Sequence, residues 1–160
     1  MGFFGKDKMA LSLEKYNYKP GEIIKGTIKI DLKKPIQARK LEVSFIGRRV
    51  DKQSSASLAG MASGSRGHHN RTSYTNIFEF DMPVAGEKEY LNQSYPFEIK
   101  IPDDILQNNP TIEGKLGQAS TALKMIAGVS SRIDWIVSAQ LDIPKKIDVK
   151  QSQKIIISQD

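Results

Sequence analysis

The chain has 160 residues, of which 39% are apolar and 26% charged, a globular mixture that fits one ordinary domain with a core of its own. It contains no cysteine, which excludes a disulfide scaffold, a thiol nucleophile, an iron–sulfur cluster and any thiolate zinc site. Lys and Arg number 24 against 18 Asp and Glu, a net charge of +6. No long basic run forms, so the charge reads as a lysine-rich, solvated surface.

No stretch approaches the ~18 apolar residues of a membrane span. The opening MGFFGKDK lacks the apolar core of a signal peptide. The myristoylation pattern wants Ser or Thr at position 6, where Lys6 stands, so Phe3 and Phe4 are expected to pack on the domain or on a partner. These features and the lack of cysteine predict a cytoplasmic location.

Along the chain the dominant hydrophobic period is two. Leu11 and Leu13 form a short leading strand. Ile24, Ile28, Ile30 and Leu32 alternate with Lys25, Thr27, Lys29 and Asp31, which puts the apolar side chains on one face of a strand and the charges on the other. Leu41, Val43 and Phe45 repeat the pattern; so do Phe78, Phe80 and Met82, then Tyr95, Phe97, Ile99 and Ile101. Trp135, Val137, Ala139, Leu141 and Ile143 follow, and then Ile155 and Ile157 with Ile147 and Val149 upstream in register. About seven half-buried strands predict an all-β, immunoglobulin-like antiparallel sandwich.

The punctuation agrees. In Lys19-Pro20-Gly21-Glu22 the proline presets φ at the first central position of a turn and the glycine takes positive φ at the second. Lys33-Lys34-Pro35 is expected to end the second strand, and Ala85-Gly86-Glu87 marks a further turn. Ile143-Pro144-Lys145-Lys146 predicts a hairpin between the last two strands.

Two segments break the alternation. Positions 52–73 are rich in Ser, Gly and Ala and predict a long mobile loop between two strands. Arg48, Arg49, Lys52, Arg66 and Arg71 lie in or beside it, the candidate contacts for an anion or a partner. From about 115 to 127, Leu116, Ala119, Leu123, Ile126 and Ala127 recur at helical spacing between Gly114 and Gly128. That pattern predicts one short helix packed on the sandwich.

The words YKPGEIIKGTIKI (18–30), ARKLEVSFIGRR (38–49), YPFEIKIP (95–102) and WIVSAQLDIP (135–144) occur in that order. The chain resembles the amino-terminal domain of the arrestin family, which includes microbial sporulation-control proteins, across roughly residues 9–157. The resemblance implies an arrestin-like β-sandwich serving as an adaptor or scaffold. It does not extend to phosphate sensing: the lysine pair of the receptor-binding arrestins is absent from the first strand, which reads MALSLEKY. The family's usual tandem of two sandwiches also exceeds 160 residues, so a single domain over 1–160 is expected. The family helix precedes the aromatic-Pro-Phe strand, whereas the helical pattern here follows it.

Catalytic chemistry is not written in the sequence. There is no G-x-S-x-G elbow, Walker loop or G-x-G-x-x-G. His68-His69 lacks the further convergent ligands that a metal site needs. Asp103-Asp104 reads as a turn cap rather than an acid–base pair. The basic loop has only Tyr74 as an aromatic neighbour, where a nucleic-acid surface wants aromatics interleaved with its cations. The expectation is therefore a non-enzymatic protein-interaction module with no cofactor, no metal and no specific nucleic acid. It would recognise a protein partner through strand edges and loops. An unpaired edge is also a template for a second copy, which predicts a homo-oligomer; membrane contact is not expected. The alternative is a sandwich that binds an anion, a lipid or a small ligand through the basic 48–74 loop.

Overall fold

The computed structural model describes residues 8–53, 71–107 and 129–159. Eight strands are present among them: β1 (Lys8–Leu13), β2 (Asn17–Tyr18), β3 (Ile23–Ala38), β4 (Lys40–Gln53), β5 (Arg71–Ala85), β6 (Lys88–Lys100), β7 (Val129–Asp142) and β8 (Val149–Ile157). They form a three-stranded sheet in the order β1-β3-β6 and a five-stranded sheet in the order β2-β8-β7-β4-β5. Every pairing is antiparallel except β2 with β8.

Alternation accounts for the layers. In β3 the side chains of Ile24, Ile28, Ile30 and Leu32 are buried and the intervening lysines exposed. Leu41, Val43 and Phe45 of β4 lie in register with Leu141, Ala139 and Val137 of β7, and all six are buried. Ile28 and Phe97 from one sheet and Phe45 and Val137 from the other share one apolar cluster. Each such side chain contributes about 1.5–3 kcal/mol when fully buried, so the inner faces hold the sheets together.

The described residues contain strands and turns and no helix, which corrects the expected fold class to an all-β sandwich without the short helix. The span expected to be helical, 115–127, lies outside the described residues, as do 54–70 of the expected loop. The outer positions of that loop are strand: Lys52 and Gln53 pair with Thr72 and Arg71. Lys33-Lys34-Pro35 does not end its strand either. β3 continues to Ala38 with a register interruption between Asp31 and Ile36, which accommodates a proline that cannot donate to the ladder. Ile147 is 75% exposed and precedes β8, because Asp148 at this corner accepts hydrogen bonds from Gln140 Nε2 (2.7 Å) and the Ile143 amide (3.0 Å).

The turns follow their residues. Gly21 has φ 86° and Glu22 N–H donates to the Lys19 carbonyl at 3.1 Å. The Glu22 carboxylate accepts from Lys15 Nζ at 2.8 Å and from the Lys19 amide at 2.6 Å, and these bonds, that of Lys15 foremost, hold it below the ordinary carboxylate range. Gly47 and Gly26 serve close approach instead: a Cβ at Gly47 would strike the Trp135 ring, and one at Gly26 would strike the Phe97 ring and the Ser12 carbonyl. Trp135 in turn packs at a tilt against Phe45 and edge-on against Phe78, at centroid distances of 5.7 and 6.4 Å.

The β7–β8 turn uses Lys145 with φ 60° at the position where glycine is unstrained. Lys145→Gly is expected to raise unfolding stability by about 0.5–1 kcal/mol, the relief of a left-handed residue less the entropy gained by the unfolded chain. Gly47→Ala is expected to lower it by about 1–3 kcal/mol through overpacking against Trp135. Chemical denaturation of each variant against the parent checks both values.

Candidate interaction surface

β1 contacts β8 and β3 contacts β7 across the core. The sheet orders then set β6 over β4 and leave β5 beyond the cover of the smaller sheet. Burial agrees: no residue of β5 is buried. Phe80 lies in register with Phe45, so it points to the core side, yet Phe80 is 44% exposed and Phe45 0%. The expected face Phe78, Phe80, Met82 exists, and only its two outer members reach the core cluster.

The two flanks of the sandwich differ. On the β1–β8 flank, Gln153 Nε2 donates to the Leu11 carbonyl at 3.4 Å. There the chain of β2 also caps β8: Ile156 N–H donates to the Tyr16 carbonyl at 2.8 Å and Ser158 N–H to the Tyr18 carbonyl at 3.1 Å. On the opposite flank β5 and β6 end their sheets with no further strand beside them among the described residues. An end strand leaves every second N–H and C=O directed outward.

The outer face of the five-stranded sheet carries a buried apolar patch, Ile46, Val50 and Ile136, outside the core cluster, with polar rows set beside it by register. Ser152 Oγ donates to Ser138 Oγ at 3.1 Å, and Ser44 Oγ in the same row donates to Asp81 Oδ1 at 2.6 Å. Further along, Asp134 of β7 accepts from Arg132 Nε at 3.0 Å and from Lys154 Nζ at 3.2 Å. The Arg132 guanidinium, followed by Lys154, holds the Asp134 carboxyl below its ordinary range against the opposing effect of partial burial.

The candidate cations do not converge. Register places Arg48 and Lys52 on the outer face of β4, with Arg48 Nε donating to Asn76 Oδ1 at 3.3 Å. Arg49 and Arg71 fall on the other face, where Arg49 pairs with Asp51 at 3.0 Å and Arg71 stands opposite Gln53. Asp51 also accepts from the Ser131 hydroxyl. Arg66 and His68-His69 lie outside the described residues. Among the described residues no group of three or more His, Asp or Glu could hold a metal ion. Asp103 and Asp104 sit in a turn, Asp103 beside Gly21. Sequence reasoning passed over Asp134 with its two cations, which come from different strands, and the acids of β5, whose edge position no local pattern announces.

Because a lowered folded-state pKa gives stability that is present above the unfolded value and lost as pH falls through the folded one, Asp134 supports the fold at neutral pH. Asp134→Asn is expected to destabilise by under about 1 kcal/mol, given the exposure of its two cations. That difference is expected to close on acidification below about pH 4. Thermal melts of both proteins across that range read it.

The comparisons with known proteins agree with this architecture. No curated protein matches the chain. A solved structure, the sporulation control protein Spo0M from Bacillus subtilis, superposes with a TM-score of 0.56 at 20% identity, over 96% of this chain and 49% of that one. The chain thus spans about half the length of that relative, and the likeness is one of fold. The family described as Arrestin (or S-antigen), N-terminal domain, matches residues 8–160. Because that match spans nearly the whole chain, the chain belongs to the arrestin N-terminal domain family.

Proposed function

We propose that this domain is an adaptor or scaffold that recognises partner proteins through its strand edges and the loops between them. The observation that carries the reading is the asymmetry of the two flanks. The β1–β8 flank is bridged by Gln153 and by the β2 segment, and the β5–β6 flank ends in two strands without a neighbour among the described residues. An edge of this kind gives affinity through main-chain hydrogen bonds and specificity through alternate side-chain positions. The family's general protein-interaction role supports the reading.

The rival, in which the basic 48–74 region binds an anion, a lipid or a small ligand, requires its cations to face one ligand. Arg48 and Lys52 face away from Arg49 and Arg71, and Arg49 is occupied by Asp51. Replacing Arg48, Arg49, Arg66 and Arg71 together by alanine is therefore expected to leave capture of partner proteins from a native extract unchanged, within about twofold on the scale of an exposed side chain. A pull-down with both proteins, paired with thermal melts in phosphate, measures this. Loss of a phosphate-dependent stabilisation in the alanine protein would favour the rival.

A further inference from the structure

We infer that the outer edge of β5 is the docking edge, and that it takes an extended peptide in which apolar residues alternate with lysine or arginine. The inference rests on the edge-recognition reading and names the edge and the ligand chemistry.

β5 offers one uninterrupted stretch. Its register with β4 shifts between Gly47 and Arg48, and again between Leu41 and Glu42. Between those shifts Phe78, Glu79, Phe80, Asp81 and Met82 run in simple register against Gly47 to Val43. Five residues is an ordinary strand length. Pro83, which cannot donate, closes the stretch at one end.

The two faces of this stretch ask for different side chains. On the core side Phe80 is 44% exposed, because the smaller sheet stops short of it. A strand added outside β5 would continue the inner face and lay an apolar side chain beside that ring. On the outer side Glu79 and Asp81 are exposed, and neither is in an ion pair among the described residues. Directly opposite positions on an added strand favour the opposite charge.

The other candidates fit less well. β1 lies against β8. β6 carries Pro96 in its middle and mixes Lys88, Glu89, Glu98 and Lys100 along its length. A second copy of β5 is disfavoured by its own acids. The symmetric antiparallel pairing centred on Phe80 sets Glu79 opposite the Asp81 of the other copy, and does so twice.

The test uses the full chain and two labelled seven-residue peptides, one alternating lysine with valine and one alternating glutamate with valine. The net charge of +6 by itself favours the glutamate peptide, so the preference reports the local acids. The expected result is about three- to tenfold tighter binding of the lysine peptide, with new amide exchange protection at 78–82. In the E79K/D81K protein the preference is expected to reverse. N-methylation of alternate lysine–valine peptide bonds, on the edge facing β5, is expected to abolish binding. Preference of the parent protein for the glutamate peptide, or equal binding of the N-methylated peptide, would overturn the inference. Protection appearing on β6 or β1 instead would overturn the choice of β5 and leave edge recognition standing; protection at no edge by a captured partner protein would remove that broader reading. A peptide-free dimer protected at 78–82 would also overturn it and make a second copy the occupant.

Discussion

Packing two sheets through alternate apolar side chains demands that each inner face meet another, and here the sheets are unequal: three strands stand against five. The interior between them is fully closed, with Ile24, Ile28, Phe45, Val43 and Val137 at 0% exposure. The shortage of cover is displaced to the margin. β1 lies over β8, so one flank is met and sewn up by Gln153 and β2, and the deficit falls on β5. The uncovered edge is thus a consequence of how the core is shared.

Keeping that interior closed places strict demands on a few positions. The Trp135 ring occupies the space that a side chain on Gly47 would fill and touches Phe45 and Phe78. The turn at Pro20-Gly21 is tied to the end of the three-stranded sheet, since Gly21 N–H donates to the Ile101 carbonyl at 3.1 Å and Ile101 N–H to that of Glu22 at 2.9 Å. These contacts explain why the family words contain glycine beside aromatic or acidic residues. Small residues lie where a ring or a neighbouring carbonyl approaches, and the glutamate caps the turn that precedes it. On the outer face, the buried Ser138 is satisfied by Ser152, and Asp134 is paired with the exposed Arg132 and Lys154, whose exposure keeps the ion pairs' contribution modest.

Local periodicity made most of this legible. The alternation at Ile24–Leu32, Leu41–Phe45, Phe97–Ile101 and Trp135–Ile143 marks buried faces, because a strand has a fixed side-chain period of two. Lys19-Pro20-Gly21-Glu22 announces its turn because only glycine accepts the backbone angle without strain. The same logic misled at Lys33-Lys34-Pro35, where a proline is absorbed by an irregularity inside β3, and at Ile147, whose phase matches β8 but whose position belongs to the corner held by Asp148. The two-residue β2 left no pattern to read; it exists through its pairing with Ile156 and Ile157.

The sequence by itself determined which side chains face inward, where the chain must turn, and that thiol chemistry is closed to a protein without cysteine. Those properties are set by steric and chemical constraints acting within a few residues. Only the tertiary structure decided which strands stand at the margins, that Phe80 remains uncovered although its phase is that of Phe45, and that Arg48 finds its partner in Asn76 of another strand. Sheet order depends on pairings between residues far apart in the chain, and no local period encodes which strand is left last.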